Sequence, residues 1–209
     1  MKSTKVFVLH YFDVRNRAEV ARQLFALAEK EYEDKRYTME EFPEVKSKFP
    51  FGQMPVLEIN GKYLPQTLAI NRYLAHEFGF TGRTAFERGW VDALADHFQD
   101  YYIESRGFLY CLYGFSQGDV KQLQKEVGEP ARDKYFGYYE SKLKKSKSGF
   151  MVGENVTVID LQVAEHADVL EGFIPGYLAQ FPKVLAHKEK VQSIPQLKAY
   201  LERRPKRPF

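Results

Sequence analysis

The chain has 209 residues, enough for one domain or two small ones, and its 44% hydrophobic and 28% charged content is ordinary for a soluble globular protein. A formal charge of +3 is weakly basic, its excess lies in "ERRPKRPF" and "SKLKKSKSG", and no nucleic-acid motif accompanies these runs, so no nucleic-acid partner is expected. The single cysteine, Cys111, excludes an intramolecular disulfide, and the opening "MKSTKVFVLHYF" is too short for a signal or membrane segment, so a cytoplasmic protein without membrane contact is expected.

"KVFVLHYF" (5–12) is β-branched and aromatic without a helical period, and reads as a buried strand. "NRAEVARQLFALAEK" (16–30) follows as a helix, with Val20, Leu24, Leu27 and Ala28 on its apolar face and Asn16 as its cap. "YEDKRYT" supplies a short second strand, and "MEEFPEVKSKF" a short irregular helix. The loop "FPFGQM" leads into "PVLEI", an Asn60-Gly61 turn and "KYLP", the strongest hairpin signal in the chain. "QTLAINRYLAHEFGF" (66–80) is a helix with Leu68, Ile70, Tyr73, Leu74 and Phe78 on its buried side and Gly79 just past its end. The order β-α-β-α-β-β-α predicts a mixed four-stranded sheet with helices on its faces, a parallel pair coming from the βαβ unit and antiparallel strands from the hairpin.

From Thr84 onward only helical patterns occur, over roughly 84–115, 118–145, 157–171, 178–193 and 195–203. An α/β domain of residues 4–81 is therefore expected beside an all-helical domain of residues 84–209. Thr157 stands three residues before Asp160, the spacing of a capping box, so Asp160 is read as structural rather than catalytic.

The stretches "LHYFDVRNRAEVARQLFALA", "FPFGQMPVLEINGKYLPQTLAINRYLA", "PARDKYFGYYESKLKKSKSGFMVGENVTVIDL" and "QSIPQLKAYLERRP" span nearly the whole chain. In this order the chain resembles a cytosolic glutathione transferase, and within that family the sigma-type enzymes, especially nematode ones. The resemblance implies a thioredoxin-like first domain, an all-α second domain contributing an apolar substrate site, a homodimer, and glutathione as co-substrate.

Redox members of the thioredoxin-like superfamily mostly carry a cysteine after the first strand, whereas the first 110 residues here hold none. The reactive thiol must then arrive with the substrate. By resemblance, the catalytic residues are Tyr11, whose hydroxyl donates to the glutathione sulfur, and Arg17 near that sulfur. A thiol of pKa ~8.5 is only about 3% ionised at pH 7, and a shift of ~2 units raises this to roughly three-quarters. That shift needs ~2.7 kcal/mol, and one hydrogen bond to a charged group supplies ~1.5–3.

The rest of the implied glutathione site is Phe42, Lys46, Gly52, Gln53, Met54, Gln66, Thr67 and Asp100. Lys46 would neutralise the glycyl carboxylate, and Gln53 would reach the γ-glutamyl end. Met54 would pair its N–H and C=O with the cysteinyl residue as an added strand, next to a cis bond at Pro55. Gln66 and Thr67 open a helix, where a hydroxyl, free amides and the positive helix end meet a carboxylate, N-capping by Thr67 being the simpler role. Asp100 would reach the ligand's amino group from the neighbouring subunit. Two departures stand out: Asn16 replaces a usual glycine, and Phe42 replaces a tryptophan and so loses an indole donor.

Aromatic residues are abundant, with 17 Phe and 14 Tyr. Phe12, Tyr102, Phe108 and Tyr110 are the candidates for holding an apolar electrophile, with core packing as the alternative for each. No metal-ligand spacing is visible. The implied reaction is thiolate attack on an electrophilic carbon, or on a peroxide oxygen in a side activity. The competing readings are a glutathione-dependent prostaglandin D isomerase, a binding protein for haem or other flat apolar ligands, and a non-enzymatic scaffold.

Overall fold

The computed structural model describes residues 5–209. The chain folds into two units, one made of residues 5–80 with Pro195–Phe209 and the other of Thr81–Ile194. The first begins with β1 (Phe7–Phe12), α1 (Asn16–Leu27), β2 (Glu33–Tyr37) and α2 (Phe42–Val45). Two 3-10 turns, Lys46–Lys48 and Pro50–Gly52, lead to β3 (Val56–Ile59), β4 (Lys62–Pro65) and α3 (Thr67–Phe78).

The sheet order is β2-β1-β3-β4, with β1 parallel to β2 and antiparallel to β3. This is the mixed four-stranded sheet that the element order predicts, and it is thioredoxin-like, as the resemblance implies. The most apolar strand, β1, takes an inner place, where both its edges are paired. Asn60 and Gly61 both adopt positive φ, 49° and 80°, as a two-residue type I′ hairpin demands. Phe7 meets Phe25 of α1 and Phe78 of α3 at ring-centroid distances of 5.4 and 6.0 Å, and Leu9, Leu24, Ile70 and Leu74 fill the same core. His10, of opposite parity on β1, contacts Tyr37, Phe49 and Tyr63, and its ring nitrogens bond the Tyr37 hydroxyl at 2.9 Å and Glu58 at 3.0 Å.

The second unit comprises α4 (Ala85–Glu104), α5 (Arg106–Leu112), α6 (Val120–Leu123), α7 (Glu129–Lys145), α8 (Val158–Phe173) and α9 (Pro182–Gln192). Where the periodicity over 84–115 predicts one helix, α4 and α5 part at Ser105, whose hydroxyl takes the Tyr101 carbonyl at 2.6 Å. The pattern over 118–145 is likewise interrupted, by a π-helical turn at Gln124–Gly128. A Cβ on Gly128 would lie 2.6 Å from the Phe108 ring, so this ring is seated directly against the turn. The expected capping box at Thr157 and Asp160 opens α8.

The final helix, α10 (Pro195–Arg203), belongs to the first unit and packs on α1, whereas the sequence pattern carried it with the helical domain. Leu197 and Tyr200 are buried, the Tyr200 hydroxyl donates to Glu19 at 2.9 Å, and Arg204 donates to Glu19 at 2.7 Å. These contacts explain why α1 buries more than the expected stripe: Glu19, Arg22 and Gln23 are enclosed, while Leu27 and Ala28 are only half-buried. Asn16 is not the cap of α1. Arg15 holds that place, and Asn16 is the first helical residue, with φ 33°.

Candidate functional site

Tyr11 lies near the end of β1, opposite Arg36 in the parallel register, and is 5% exposed. The chain turns through residues 12–15 and enters α1, where Arg17 is the second residue and half-buried. Arg22, fully enclosed, holds this turn through Nη1 to the Val14 carbonyl at 2.7 Å. Its charge is matched by Asp34 at 3.1 Å and Glu19 at 3.3 Å, as a buried guanidinium requires.

The Tyr11 and Phe12 rings meet edge to face at 5.5 Å, and Phe12 meets Phe42, the first residue of α2, at 5.2 Å. Phe12 and Phe42 thereby form one apolar wall beside Tyr11. In the turn that follows α2, Lys46 lays its side chain across Gly52: a Cβ there would lie 3.2 Å from Lys46 Cε. Gly52 has φ +57°, so both its backbone and its neighbour favour glycine.

The next residues carry the loop into the sheet. Met54–Pro55 is a cis bond, as the resemblance implies, and Pro55 is buried just before β3 begins at Val56. The Gln53 side chain accepts a hydrogen bond from Gln66 Nε2 at 3.3 Å. Gln66, not Thr67, occupies the N-cap of α3, and Thr67 is its first helical residue. Among the described residues no side chain caps α3, so its first-turn N–H groups lack that acceptor at the positive end of the helix. Gln66 adopts φ 77° and ψ 122°, a region a non-glycine residue rarely occupies and one that clusters at ligand sites.

In the second unit, Asp100 is exposed on α4, where Phe86, Trp90, His97 and Asp100 follow helical spacing along one face. Tyr102 is buried beside His166, with ring centroids 6.2 Å apart. Phe108 is 0% exposed and packs on Tyr177 at 5.9 Å as well as on Gly128. Tyr110 is half-buried, with Phe115 at 5.9 Å and the Arg106 guanidinium 5.9 Å from its ring.

Sequence reasoning missed the Gln66 conformation and the buried Glu19–Arg22 pair. No single-sequence signal announces the first. The second could have been found, because Ala18 and Phe25 flank Arg22 at helical spacing and both are buried. Among the described residues no three His, Cys, Asp or Glu side chains form a candidate metal set, and no helix is long and apolar enough to cross a membrane.

Comparison with known proteins adds the family. Residues 7–76 match the glutathione S-transferase N-terminal domain, and residues 105–204 the glutathione S-transferase C-terminal domain. "Probable glutathione S-transferase 5" of Caenorhabditis elegans is 46% identical over 97% of this chain and 99% of its own length. Two solved structures are also similar. One is a monomeric Na-GST-3 from the hookworm Necator americanus, with TM-score 0.94 and 46% identity over 98% of this chain and all of that one. The other is a Nu-class enzyme from Haemonchus contortus, with TM-score 0.91 and 47% identity over 99% of this chain and all of that one.

Proposed function

This chain belongs to the glutathione S-transferase family and uses glutathione as its co-substrate, and from that premise we propose that it is a sigma-type, cytoplasmic enzyme conjugating glutathione to apolar electrophiles. Tyr11 donates its hydroxyl proton to the sulfur as a hydrogen bond and so favours the thiolate. Arg17 adds positive charge to the same end of the ligand. The thiolate forms a carbon–sulfur bond to the electrophile, whose leaving group departs with the displaced electron pair, and the thiol proton goes to solvent. Attack on a peroxide oxygen is a side activity of the same thiolate.

The observation that carries this reading is the Gln53–Gln66 hydrogen bond, which ties the loop leading into β3 to the uncapped start of α3. Gln53, Gln66 and Thr67 receive the γ-glutamyl end, Met54 offers its backbone to the cysteinyl residue, and Lys46 over Gly52 receives the glycyl carboxylate. Phe42 supplies apolar wall without an indole donor. Phe12 of the first unit and Tyr102 and Tyr110 of the second are the side chains assigned to the electrophile, and Phe108, fully enclosed against Tyr177 and Gly128, is assigned to packing within the second unit.

Homodimerisation is part of the proposal, with Asp100 serving the neighbouring subunit. It is supported by the exposed stripe of α4, where Phe86 is 77% exposed beside Trp90. A monomer in sedimentation at micromolar concentration would remove that role.

The test is Tyr11→Phe. Conjugation of an aryl halide should fall about 25-fold at pH 7, the ratio of three-quarters to 3% thiolate, and the deficit should shrink as pH rises toward 9. Retention on glutathione resin should persist. Unchanged conjugation with glutathione still bound would overturn the assignment of Tyr11. Running prostaglandin H isomerisation beside the aryl-halide assay separates conjugation from the isomerase chemistry.

A further inference from the structure

The turn between Tyr11 and Arg17 is gripped by residues almost two hundred positions away in sequence. Arg207 donates through Nη2 to the Asp13 carboxylate at 2.5 Å and through Nε to the Asp13 carbonyl at 3.3 Å. The main-chain oxygen of Phe209 accepts the Arg15 N–H at 2.7 Å. The other Asp13 oxygen accepts from Arg36 at 2.7 Å, and Arg36 donates twice to Asp34, the carboxylate that also pairs Arg22. Arg22 in turn bonds the carbonyls of Val14 at 2.7 Å and Phe12 at 3.5 Å. Phe12, Asp13, Val14 and Arg15 thus each have a main-chain group held, two of them by the segment that follows α10.

Stability does not explain this arrangement. The Asp13 and Arg207 side chains are 41% and 43% exposed, and an ion pair so open to water contributes little to folding. Position is another matter. A hydroxyl that must donate to sulfur works only within a narrow range of distance and angle, and a misplacement of ~1 Å from a remote change can cost roughly 10²-fold in rate.

We propose that Arg207 and Phe209 are positioning residues of the transferase reaction, holding the Asp13–Arg15 turn so that Tyr11 and Arg17 keep their aim at the glutathione sulfur. The proposal rests on the reading of Tyr11 and Arg17 as the sulfur-facing pair. Arg207 and Phe209 touch no reacting atom on this view and act only through the turn. Hydrogen bonding from Arg207, with a smaller contribution from Arg36, holds the Asp13 carboxyl below its ordinary range.

The experiment compares Arg207→Gln, Arg207→Lys, a chain shortened after Lys206, and Tyr11→Phe, reading kcat/KM against pH together with the melting temperature. Arg207→Gln and the shortened chain should lower kcat/KM roughly 3- to 10-fold at pH 6.5 and raise the midpoint of the profile by about 0.5 unit, the melting temperature moving by no more than about 3 °C. Arg207→Lys, which keeps the charge without the forked geometry, should recover part of the loss. A midpoint left unmoved by Arg207→Gln and by shortening, while Tyr11→Phe moves it, overturns the positioning role. So does a loss of rate that merely follows a loss of folded protein. If Tyr11→Phe itself leaves the profile unmoved with glutathione bound, the sulfur-site reading fails first.

Discussion

At Gly52 two demands meet on one residue: φ of +57° and a Lys46 methylene 3.2 Å from where a Cβ would stand. Gly52→Ala should cost about 1–2 kcal/mol from the left-handed backbone and push Lys46 aside. On the proposed reading, in which Lys46 receives the glycyl carboxylate remote from the sulfur, KM for glutathione should rise severalfold with kcat little changed, which steady-state kinetics and urea unfolding check together. Residue conformations of this kind were legible only where chemistry announces them. Asn16 tolerates its φ of 33° as asparagine does, and Asn60-Gly61 is a turn by composition. Gln66 and Phe51, with φ of 77° and 61°, carry no such mark, since the junctions around them impose the conformation.

Helix ends are set by contacts both near and far in sequence, and α8 shows the two kinds together. Asp160 is 0% exposed and accepts from the Thr157 N–H at 2.7 Å, the Thr157 hydroxyl at 2.8 Å and the Met151 N–H at 2.7 Å, while His187 Nε2 of α9 lies 2.8 Å away. Asp160→Ala would strand several buried donors and should lose about 3–5 kcal/mol in urea unfolding, with kcat per folded molecule unchanged. A drop in kcat without a loss of stability would restore the catalytic role that the sequence reading set aside. The local half of this cluster was legible as Thr157 and Asp160 three apart. The remote half was not, and neither was Glu140 of α7, which accepts from the Lys183 and Val184 N–H groups at the start of α9. The breaks at Ser105 and Gly128 were hidden for the same reason: the apolar period runs through them, and a side-chain hydroxyl and a packed ring decide where the helices stop.

Over the whole molecule, pH acts on stability through a histidine buried in the helical unit. His166 packs among Phe98, Tyr101 and Phe136 and bonds the Tyr101 hydroxyl at 3.1 Å, and burial lowers its pKa from 6.5 to about 3. The unfolded chain takes up this proton below about pH 6.5 while the folded chain does not. Stability is therefore complete above that value and falls by up to ~1.4 kcal/mol per unit as pH drops toward 3. Burial lowers His97 as well, with the same sign. Urea unfolding at pH 7 and pH 5 should differ by about 2 kcal/mol more in the parent than in His166→Gln, and equal differences would remove His166 from the account. Strand order, the hairpin and the helical character of residues after Thr84 were all legible, because periodicity and turn chemistry encode them locally. The place of α10 was not, since it depends on Glu19 receiving Tyr200 and Arg204 from more than 180 residues away. That placement has a consequence for biosynthesis. The sheet-bearing unit opens the chain but needs residues 195–209 to cover α1, so during translation it stays unfinished until the intervening helices have emerged. A ribosome that stops anywhere before α10 releases a product with α1 uncovered and Glu19 deprived of both Tyr200 and Arg204.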